Sequence, residues 1–313
     1  MLPMLAARGD RVPTGADWVH EVKWDGVRAL VEVSGGALRV WSRRENDVTV
    51  TYPEMQGLLG HLPENTVLDG EIVVFENGIP SFAAIADRMN ITSAARAAQA
   101  AVRLPATLLI FDVLRLDGLE VAGLPWQHRR ELLESLELEG PRWMTPPTYD
   151  DGPGLYEATR AQGLEGVVSK RRTARYVLGA RSDAWLKFPH RFLASYVIGG
   201  WHGETDTPSR LGSVLVGVPR GSGLAFRGKV GSGLAGRAGE AMQEVLESIG
   251  TATNPFVTPV PREDLPGAHW VDPLLVIDIA AMGLSRELRL RAPSYQRVRT
   301  DLDPSDVADD GLG

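Results

Sequence analysis

The sequence predicts an α+β protein of two domains, in which antiparallel sheets and helices are followed by a small β-barrel. Short alternating strands and amphipathic helices share residues 1–192, whereas short apolar strands with Gly-rich turns and one helix fill residues 193–300. The length of 313 residues suffices for two domains of ordinary size. We therefore place a domain boundary near residue 192 and expect a loose acidic tail at 301–313, which holds five Asp.

In the first domain, alternation of apolar and polar residues indicates strands, and apolar residues at helical spacing indicate helices. The predicted strands cover residues 18–22, 27–33, 37–41, 66–75, 106–114 and 165–170. The predicted helices cover residues 52–62, an Ala-rich stretch at 81–101, 126–138 and 154–162. Asn77-Gly78 predicts a hairpin turn.

In the second domain, short apolar strands are separated by turns and surround one helix. Strands are predicted at 195–200, 213–218, 224–230 and 274–281, and the helix at 234–249. About five short strands with an inserted helix are typical of a small barrel of the OB type.

Composition excludes several classes of protein. The absence of Cys excludes disulfides, thiolate zinc sites and a cysteine nucleophile. No apolar run approaches the roughly 18 residues of a membrane helix, and the first ten residues do not resemble a signal peptide. We therefore expect a cytoplasmic protein without membrane contact. The net charge of −7 means that any nucleic acid must bind through local basic patches.

Lysine is rare in this chain. Only four of the 33 basic residues are Lys, namely Lys23, Lys170, Lys187 and Lys229. An amine can lose its proton and act as a nucleophile, which a guanidinium cannot. Taken singly, each lysine is as easily a residual surface residue as a functional one, so the surrounding sequence must decide.

The segment from Glu21 to Arg28 reads Glu-Val-Lys-Trp-Asp-Gly-Val-Arg. The turn at Asp25-Gly26 lifts the Lys23 amine out of the sheet, and a second cation nearby favours the neutral form of an amine. Lys-x-Asp-Gly-x-Arg resembles the active-site motif of the covalent nucleotidyltransferases, which comprise ATP-dependent DNA ligases, RNA ligases and mRNA capping enzymes. The resemblance implies an ATP-grasp-like adenylation domain in which Lys23 attacks the α-phosphate of a nucleotide.

The resemblance extends to further segments that follow in the family's order and cover nearly all of the first 190 residues. They are Ser42-Arg43-Arg44, Leu68-Asp69-Gly70-Glu71, Ile110-Phe111-Asp112-Val113, the segment 165–170, the segment 185–189 and the C-terminal segment 290–301. The opening residues 2–6, Trp24 and the turn Gly228-Lys229-Val230-Gly231 are similar to the bacterial LigC/LigD type of ligase domain.

The resemblance implies a role for individual residues. Lys23, Arg28 and Lys187 would be catalytic. The nucleotide would contact Glu21, Val22, Arg28, Arg43, Glu71, Phe111, Lys170 and Lys187, with both lysines on phosphate. Glu165 and Glu71 would hold Mg²⁺, with Mn²⁺ as an alternative metal. DNA would contact Arg43, Arg44, Lys229 and Arg191. Independently of the resemblance, the Arg-rich stretches 170–191 and 286–299 are basic patches that could clamp the duplex.

Glu21 bears on the choice of nucleotide. Two residues before the nucleophile, its carboxylate can accept a hydrogen bond from the amino group of adenine, whereas the carbonyl of guanine would face it unpaired. This favours ATP over GTP and argues against a capping enzyme.

Two positions depart from the family pattern. Pro189 and Leu302 stand where the family often has lysine. Arg191 and Arg297 are the candidates to compensate, and without compensation we expect slow self-adenylation.

The sequence thus predicts a monomeric, nucleoid-associated, ATP-dependent DNA ligase that seals nicks in duplex DNA during repair. A repair polymerase or a Ku-like end-binding protein is a candidate partner. Two alternatives stay open: an RNA ligase or capping-type enzyme on the same fold, and a non-catalytic nucleic-acid-binding protein.

Overall fold

The computed structural model describes residues 1–205, 207 and 209–308, apart from the side chains at 237 and 238. The chain divides into two compact units, Met1–His190 and Arg191–Gly313. Within these described ranges, no helix is long and apolar enough to cross a membrane.

The first unit is mixed in secondary structure. Its strands are β1 (Leu5–Arg8), β2 (Trp18–Lys23), β3 (Val27–Ser34), β4 (Ala37–Ser42), β5 (Thr66–Glu76), β6 (Ile79–Pro80), β7 (Ala106–Leu116), β8 (Leu119–Glu120), β9 (Glu139–Gly140), β10 (Trp143–Met144), β11 (Gly166–Arg171) and β12 (Arg181–Pro189). Its α-helices are α1 (Phe82–Met89), α2 (Ala94–Arg103), α3 (Trp126–Glu134) and α4 (Gly152–Ala161). Thr49–Thr51 and Pro53–His61 are 3₁₀ helices.

These strands form two sheets. One has the order β1-β12-β11-β2, and the other has the order β4-β3-β5-β7-β10-β9, with β6 and β8 paired to its members. Most ladders are antiparallel, as expected, but β1 pairs with β12 and β10 with β7 in parallel. Both pairs join strands that are distant in sequence, and parallel strands require such a crossover rather than a tight turn.

Three predicted helices differ in the structure. The segment 53–61 is a 3₁₀ helix, and it contains Gly57 and Gly60, which weaken an α-helix. The Ala-rich stretch is interrupted between Asn90 and Ser93, which cap α1 and α2. Helix α3 ends four residues early, just before a turn at Glu137, whose φ is positive at 47°.

The second unit consists mainly of strands. They are β13 (Phe192–Gly203), β14 (Leu211–Arg220), β15 (Gly223–Val230), β16 (His269–Trp270), β17 (Val276–Ala281) and β18 (Ser294–Val298), with helix α5 (Arg237–Ser248) between β15 and β16. The sheet order is β15-β14-β13-β17-β18, with β16 paired to β13, and all its ladders are antiparallel.

Among the described residues, this sheet does not close into a complete barrel. Its edge strands β15 and β18 are linked by a single bridge between Ser232 and Ser294. The chain passes close to β18 at Gly233, where φ is +90° and a Cβ would lie 2.6 Å from the Tyr295 carbonyl oxygen. The architecture is the partly open barrel of an OB fold.

The acidic C-terminal segment is more ordered than predicted. Leu302 is partly buried and Val307 is buried, both against the core of the second unit. Asp303 and Asp306 form a reciprocal cap of the 3₁₀ helix Pro304–Asp306. The prediction of a loose tail is therefore wrong for residues 301–308, and residues 309–313 lie outside the described part.

One core cluster joins the two sheets of the first unit. It combines side chains from β3, β5 and β7 with side chains from the segment before β1, from the loop before β12 and from β12 itself. The buried members are Met4, Leu30, Val67, Leu114, Tyr176 and Trp185. This cluster supports the site described next.

Candidate active site

Strands β2, β11 and β12 place most of the predicted site residues on one face of their sheet. Lys23 pairs with Gly166 and Glu21 with Val168 across β2 and β11. Val168 pairs in turn with Lys187, and Lys170 pairs with Trp185 on β12. Because side chains alternate along a strand, Lys23, Glu21, Lys170, Trp185 and Lys187 share this face.

The Lys23 amine lies at the accessible end of this face. Its Nζ is 2.5 Å from Oε1 of Glu165, and the two side chains are 22% and 10% exposed. Glu165 is positioned by the glycine that follows it: Gly166 has φ +146°, and a Cβ there would lie 2.2 Å from the Phe188 carbonyl oxygen. Lys23 is thus reachable by a ligand but is held in an ion pair that must open before the amine can attack.

Lys187 adds a second amine at the same end. Burial and the neighbouring Lys23 ammonium lower the pKa of Lys187, with Arg181 and Arg43 acting in the same direction. Arg43 and Arg44 are both exposed immediately after β4. The predicted phosphate contacts Lys23, Lys187 and Arg43 therefore lie in one cationic neighbourhood.

Glu71 lies near Lys23 and Glu165, on β5 of the other sheet. It pairs with Arg28 of β3 across the ladder. Burial raises the pKa of Glu71 to about 8. The charge of Glu165 raises this pKa further, whereas the charges of Arg28 and Lys23 lower it. Glu71 and Glu165, the two predicted metal ligands, thus both lie near the Lys23 amine. Among the residues that the structure describes, no group of three or more His, Cys, Asp or Glu could form a metal site by itself.

Arg28 is fixed by a carboxylate. Asp69 accepts hydrogen bonds from Nε and Nη2 of Arg28, both at 2.5 Å. The guanidinium carbon lies 4.6 Å from the ring centroid of Phe111 and 5.8 Å from that of Trp185. Arg28 therefore stands between the aromatic end of the site and Glu71.

Glu21 and Lys170 form a buried ion pair at the deeper end of the face. Nζ of Lys170 is 2.7 Å from Oε2 of Glu21, and the side chains are 2% and 8% exposed. The ammonium lies 4.5 Å from the Phe111 centroid and 4.3 Å from the Trp185 centroid. Burial lowers the pKa of Lys170. Oε1 of Glu21 and Nε1 of Trp185 are buried without a hydrogen-bond partner.

Lys170 lies away from the level of Lys23 along the strands. It pairs with Val19, four residues along the strand from the level of Lys23, which is about 13 Å at the rise of a β-strand. Lys170 therefore lies with Glu21 and the aromatic rings rather than with the amines of Lys23 and Lys187. The sequence motif alone could not reveal this, because the separation depends on strand register.

The remaining predicted residues have contacts of their own. Val22 points to the opposite face from Lys23, so any nucleotide contact would use its backbone. In the second unit, Lys229 is paired with Asp264 at 2.5 Å. Arg191 donates to the carbonyls of Ala280 and Ala292, each at 3.2 Å.

Arg297 is likewise engaged, because its Nε donates to Asp278 at 2.7 Å. Neither Arg191 nor Arg297 is therefore poised to replace a missing lysine without first exchanging its present partner. Leu302, at the second departing position, packs against the core of its unit.

Sequence reasoning missed one contributor to the site, Tyr176. Its hydroxyl donates to Oδ2 of Asp69 at 2.6 Å, across a separation of 107 residues. No local pattern could have identified it, since the contact exists only when the two sheets are packed together.

Comparison with known proteins identifies the family of the chain. Residues 3–188 match the family described as "ATP dependent DNA ligase domain", and residues 207–302 match "ATP dependent DNA ligase C terminal region". The multifunctional non-homologous end joining DNA repair protein LigD of Mycobacterium tuberculosis is 38% identical over 311 residues, or 98% of this chain. The chain spans only 39% of the length of that relative.

Solved structures agree with this result. A mycobacterial DNA ligase D complexed with ATP and MES is 36% identical, with a TM-score of 0.57 and coverage of 98% of this chain and 97% of that one. The ligase domain of M. tuberculosis LigD is 36% identical, with a TM-score of 0.56 and coverage of 99% and 98%. A Lig E DNA ligase, 18% identical with a TM-score of 0.63, covers 96% and 99% and shares the fold. On these grounds the chain belongs to the ATP-dependent DNA ligase family.

Proposed function

We propose that this chain seals nicks in duplex DNA through a lysyl-AMP intermediate on Lys23. The amine attacks the α-phosphorus of ATP, a P–N bond forms, and pyrophosphate leaves. The AMP passes to the 5′-phosphate at the nick, and the 3′-hydroxyl then displaces AMP to form the phosphodiester. The observation that carries the proposal is the Lys23–Glu165 pair at the open end of a face whose deep end is the Glu21–Lys170 pocket.

The buried end of the face, which carries Glu21 and Lys170, fits the base of ATP. Oε1 of Glu21 is buried without a hydrogen-bond partner and can accept from the amino group of adenine. The Lys170 ammonium beside it can donate to an acceptor on the same edge of the base. Phe111 supplies an aromatic surface for stacking. Guanine would bring a carbonyl oxygen to the Glu21 carboxylate, which favours ATP.

Glu165 and Glu71 fit a divalent metal that binds together with the nucleotide. Mg²⁺ is usually held by one or two carboxylates plus substrate phosphates, and these two carboxylates both neighbour Lys23. Bound there, Mg²⁺ or Mn²⁺ would neutralise phosphate charge during in-line displacement. Glu165 would then exchange its Lys23 contact for the metal, leaving the amine able to lose its proton.

Fixed positive charge supports the same reaction. Lys187, Arg43 and Arg28 would stabilise the charge that develops on the phosphates. Arg44, Lys229 and Arg191 are proposed to contact the DNA backbone, together with the basic stretches 170–191 and 286–299. Lys229 and Arg191 must first leave Asp264 and the backbone carbonyls that they now contact.

The biological setting follows from the relatives. Because the named relatives are end-joining repair proteins, we place this ligase in DNA repair at the bacterial nucleoid, acting as a monomer. Recruitment by a repair polymerase or a Ku-like end-binding protein belongs to the same proposal.

A nick-sealing assay with Lys23→Arg tests the mechanism. Arginine keeps the positive charge but is no nucleophile, so sealing from ATP and Mg²⁺ should be lost. The same variant should still seal a nick whose 5′-phosphate already carries AMP, which shows that the protein is folded. Sealing from ATP by Lys23→Arg would refute Lys23 as the nucleophile, and activity on nicked RNA but not DNA would favour the RNA ligase alternative.

A further inference from the structure

Arg28 is part of a closed ring of hydrogen bonds with Met4, Tyr176 and Asp69. The backbone nitrogen of Met4 donates to the Tyr176 hydroxyl at 3.0 Å, and that hydroxyl donates to Oδ2 of Asp69 at 2.6 Å. Asp69 accepts two hydrogen bonds from Arg28, and Nη2 of Arg28 reaches the Met4 carbonyl at 3.4 Å. Asp69 and Met4 are both fully buried.

We propose that Tyr176 is a positioning residue for the ligase reaction, holding the Arg28 guanidinium in place through Asp69. This inference rests on the proposed function, because it assumes that Arg28 acts on the bound nucleotide. The Tyr176 hydroxyl fixes the rotation of the Asp69 carboxylate, so that both oxygens face the two nitrogens of Arg28. The guanidinium is thereby kept between the Phe111 ring and Glu71.

Tyr176 is itself held rigidly, which a positioning group requires. Its backbone nitrogen donates to the Ala122 carbonyl at 2.9 Å. Its ring packs edge-on against Trp185, with centroids 5.5 Å apart and an interplanar angle of 86°. The loop that carries it is anchored by Arg129, whose Nη1 donates to the Ala174 carbonyl at 3.0 Å.

The hydroxyl also stays a donor at working pH. Burial raises the pKa of Tyr176 well above its ordinary value, and the adjacent Asp69 carboxylate raises it further. The hydrogen bond to Asp69 therefore persists wherever the enzyme is assayed.

The alternative is that Tyr176 only fills the core between the sheets. A core role and a positioning role predict different results when the substitution of Tyr176 is combined with a substitution of Arg28. If Tyr176 acts through Asp69 on Arg28, replacing Arg28 should remove the consequence of losing the hydroxyl, since contacting residues are coupled. If Tyr176 only packs, the two substitutions should have independent effects.

The test measures lysyl-AMP formation with ATP and Mg²⁺ in the wild type, Tyr176→Phe, Arg28→Lys and the double variant. Tyr176→Phe should lower the rate at saturating ATP about tenfold, because the hydroxyl's bond is to a charged group. The half-saturating ATP concentration should change by less than about threefold, because Arg28 keeps its charge and its bond to Asp69. In the Arg28→Lys background, the same change should have an effect of less than about twofold.

Tyr52→Phe is the matched control. Tyr52 is a buried tyrosine in the same unit whose ring lies against Arg88, and its substitution should leave the rate unchanged. The inference is overturned if Tyr176→Phe reacts at the wild-type rate, if its effect persists in the Arg28→Lys background, or if Tyr52→Phe is equally slow. Failure of the wild type to form lysyl-AMP would instead refute the proposed function.

Discussion

Lys23 and Lys170 show that the scarcity of lysine in the chain points to candidate residues but does not indicate the role of each. Both are among the four lysines of the chain. Lys23 is partly exposed beside Glu165, whereas Lys170 is buried with Glu21. The exposed amine can meet a phosphate, and the buried one completes a polar pocket against aromatic rings. Environment rather than residue type separates the two roles.

His20 provides a residue-scale prediction, on the opposite face of β2 from Lys23. It is fully buried, and its Nδ1 lies 2.8 Å from the Ser169 hydroxyl. Burial lowers the pKa of His20 below 6.5; Asp151 and Asp150 oppose this effect and Arg172 adds to it. Because the unfolded chain takes up the proton first, His20 should cost stability as the pH falls below 6.5.

Urea unfolding at about pH 7.5 and about pH 5 checks this expectation in the wild type and in His20→Gln. The wild type should lose more stability than the variant on acidification, because glutamine does not titrate in this range. Equal losses in the two proteins would show that His20 does not contribute to acid sensitivity.

At the scale of elements, the strands that carry Lys23 and the segment 166–170 were predictable from alternation. Strand β12 was not predicted, although it carries Lys187, because the sequence Arg-Ser-Asp-Ala-Trp-Leu-Lys-Phe-Pro has no clean alternation. It is a strand because it pairs with both β11 and β1. The Glu21–Lys170 pair and the Tyr176–Asp69 bond depend on such pairing and on sheet packing, so motifs could list the residues but not their partners.

The turn between β2 and β3 yields an element-scale prediction. A Cβ on Gly26 would lie 2.3 Å from the Ile72 carbonyl oxygen and 2.8 Å from Cγ1 of Val73. Gly26→Ala should therefore push β3 away from β5 and cost about 1–3 kcal/mol of unfolding free energy. Denaturant titration measures this loss.

The matched control is Gly123→Ala. A Cβ at that position would have no neighbour within 4 Å, so its effect should stay within about 0.5 kcal/mol. Equal stability of the two variants would contradict the close approach at Gly26.

At the scale of the whole molecule, a chain of net charge −7 must bind DNA through local basic stretches. Acidic partners already neutralise several of those cations. Lys229 is 44% exposed and is held by Asp264, whose side chain is 11% exposed. Arg297 and Arg299 share Asp278. DNA affinity should therefore depend on these carboxylates as well as on the cations.

Asp264→Asn tests that dependence. Removing the carboxylate charge frees Lys229 for a phosphate, so nicked DNA should bind several-fold more tightly at moderate salt. Lys229→Ala should bind more weakly, with a salt dependence shallower by about one unit of slope. Fluorescence anisotropy over a series of salt concentrations measures both effects. Unchanged binding by both variants would remove Lys229 from the DNA contacts.

The proposed reaction depends on a covalent bond between Lys23 and AMP from ATP. Its most direct test is to incubate the intact protein with radiolabelled ATP or GTP and Mg²⁺, and to locate the label by peptide mass spectrometry. We expect one AMP per chain from ATP, attached to Lys23 and absent in Lys23→Ala, with no labelling from GTP. Label that persists in Lys23→Ala, or that comes from GTP and not from ATP, would contradict the account.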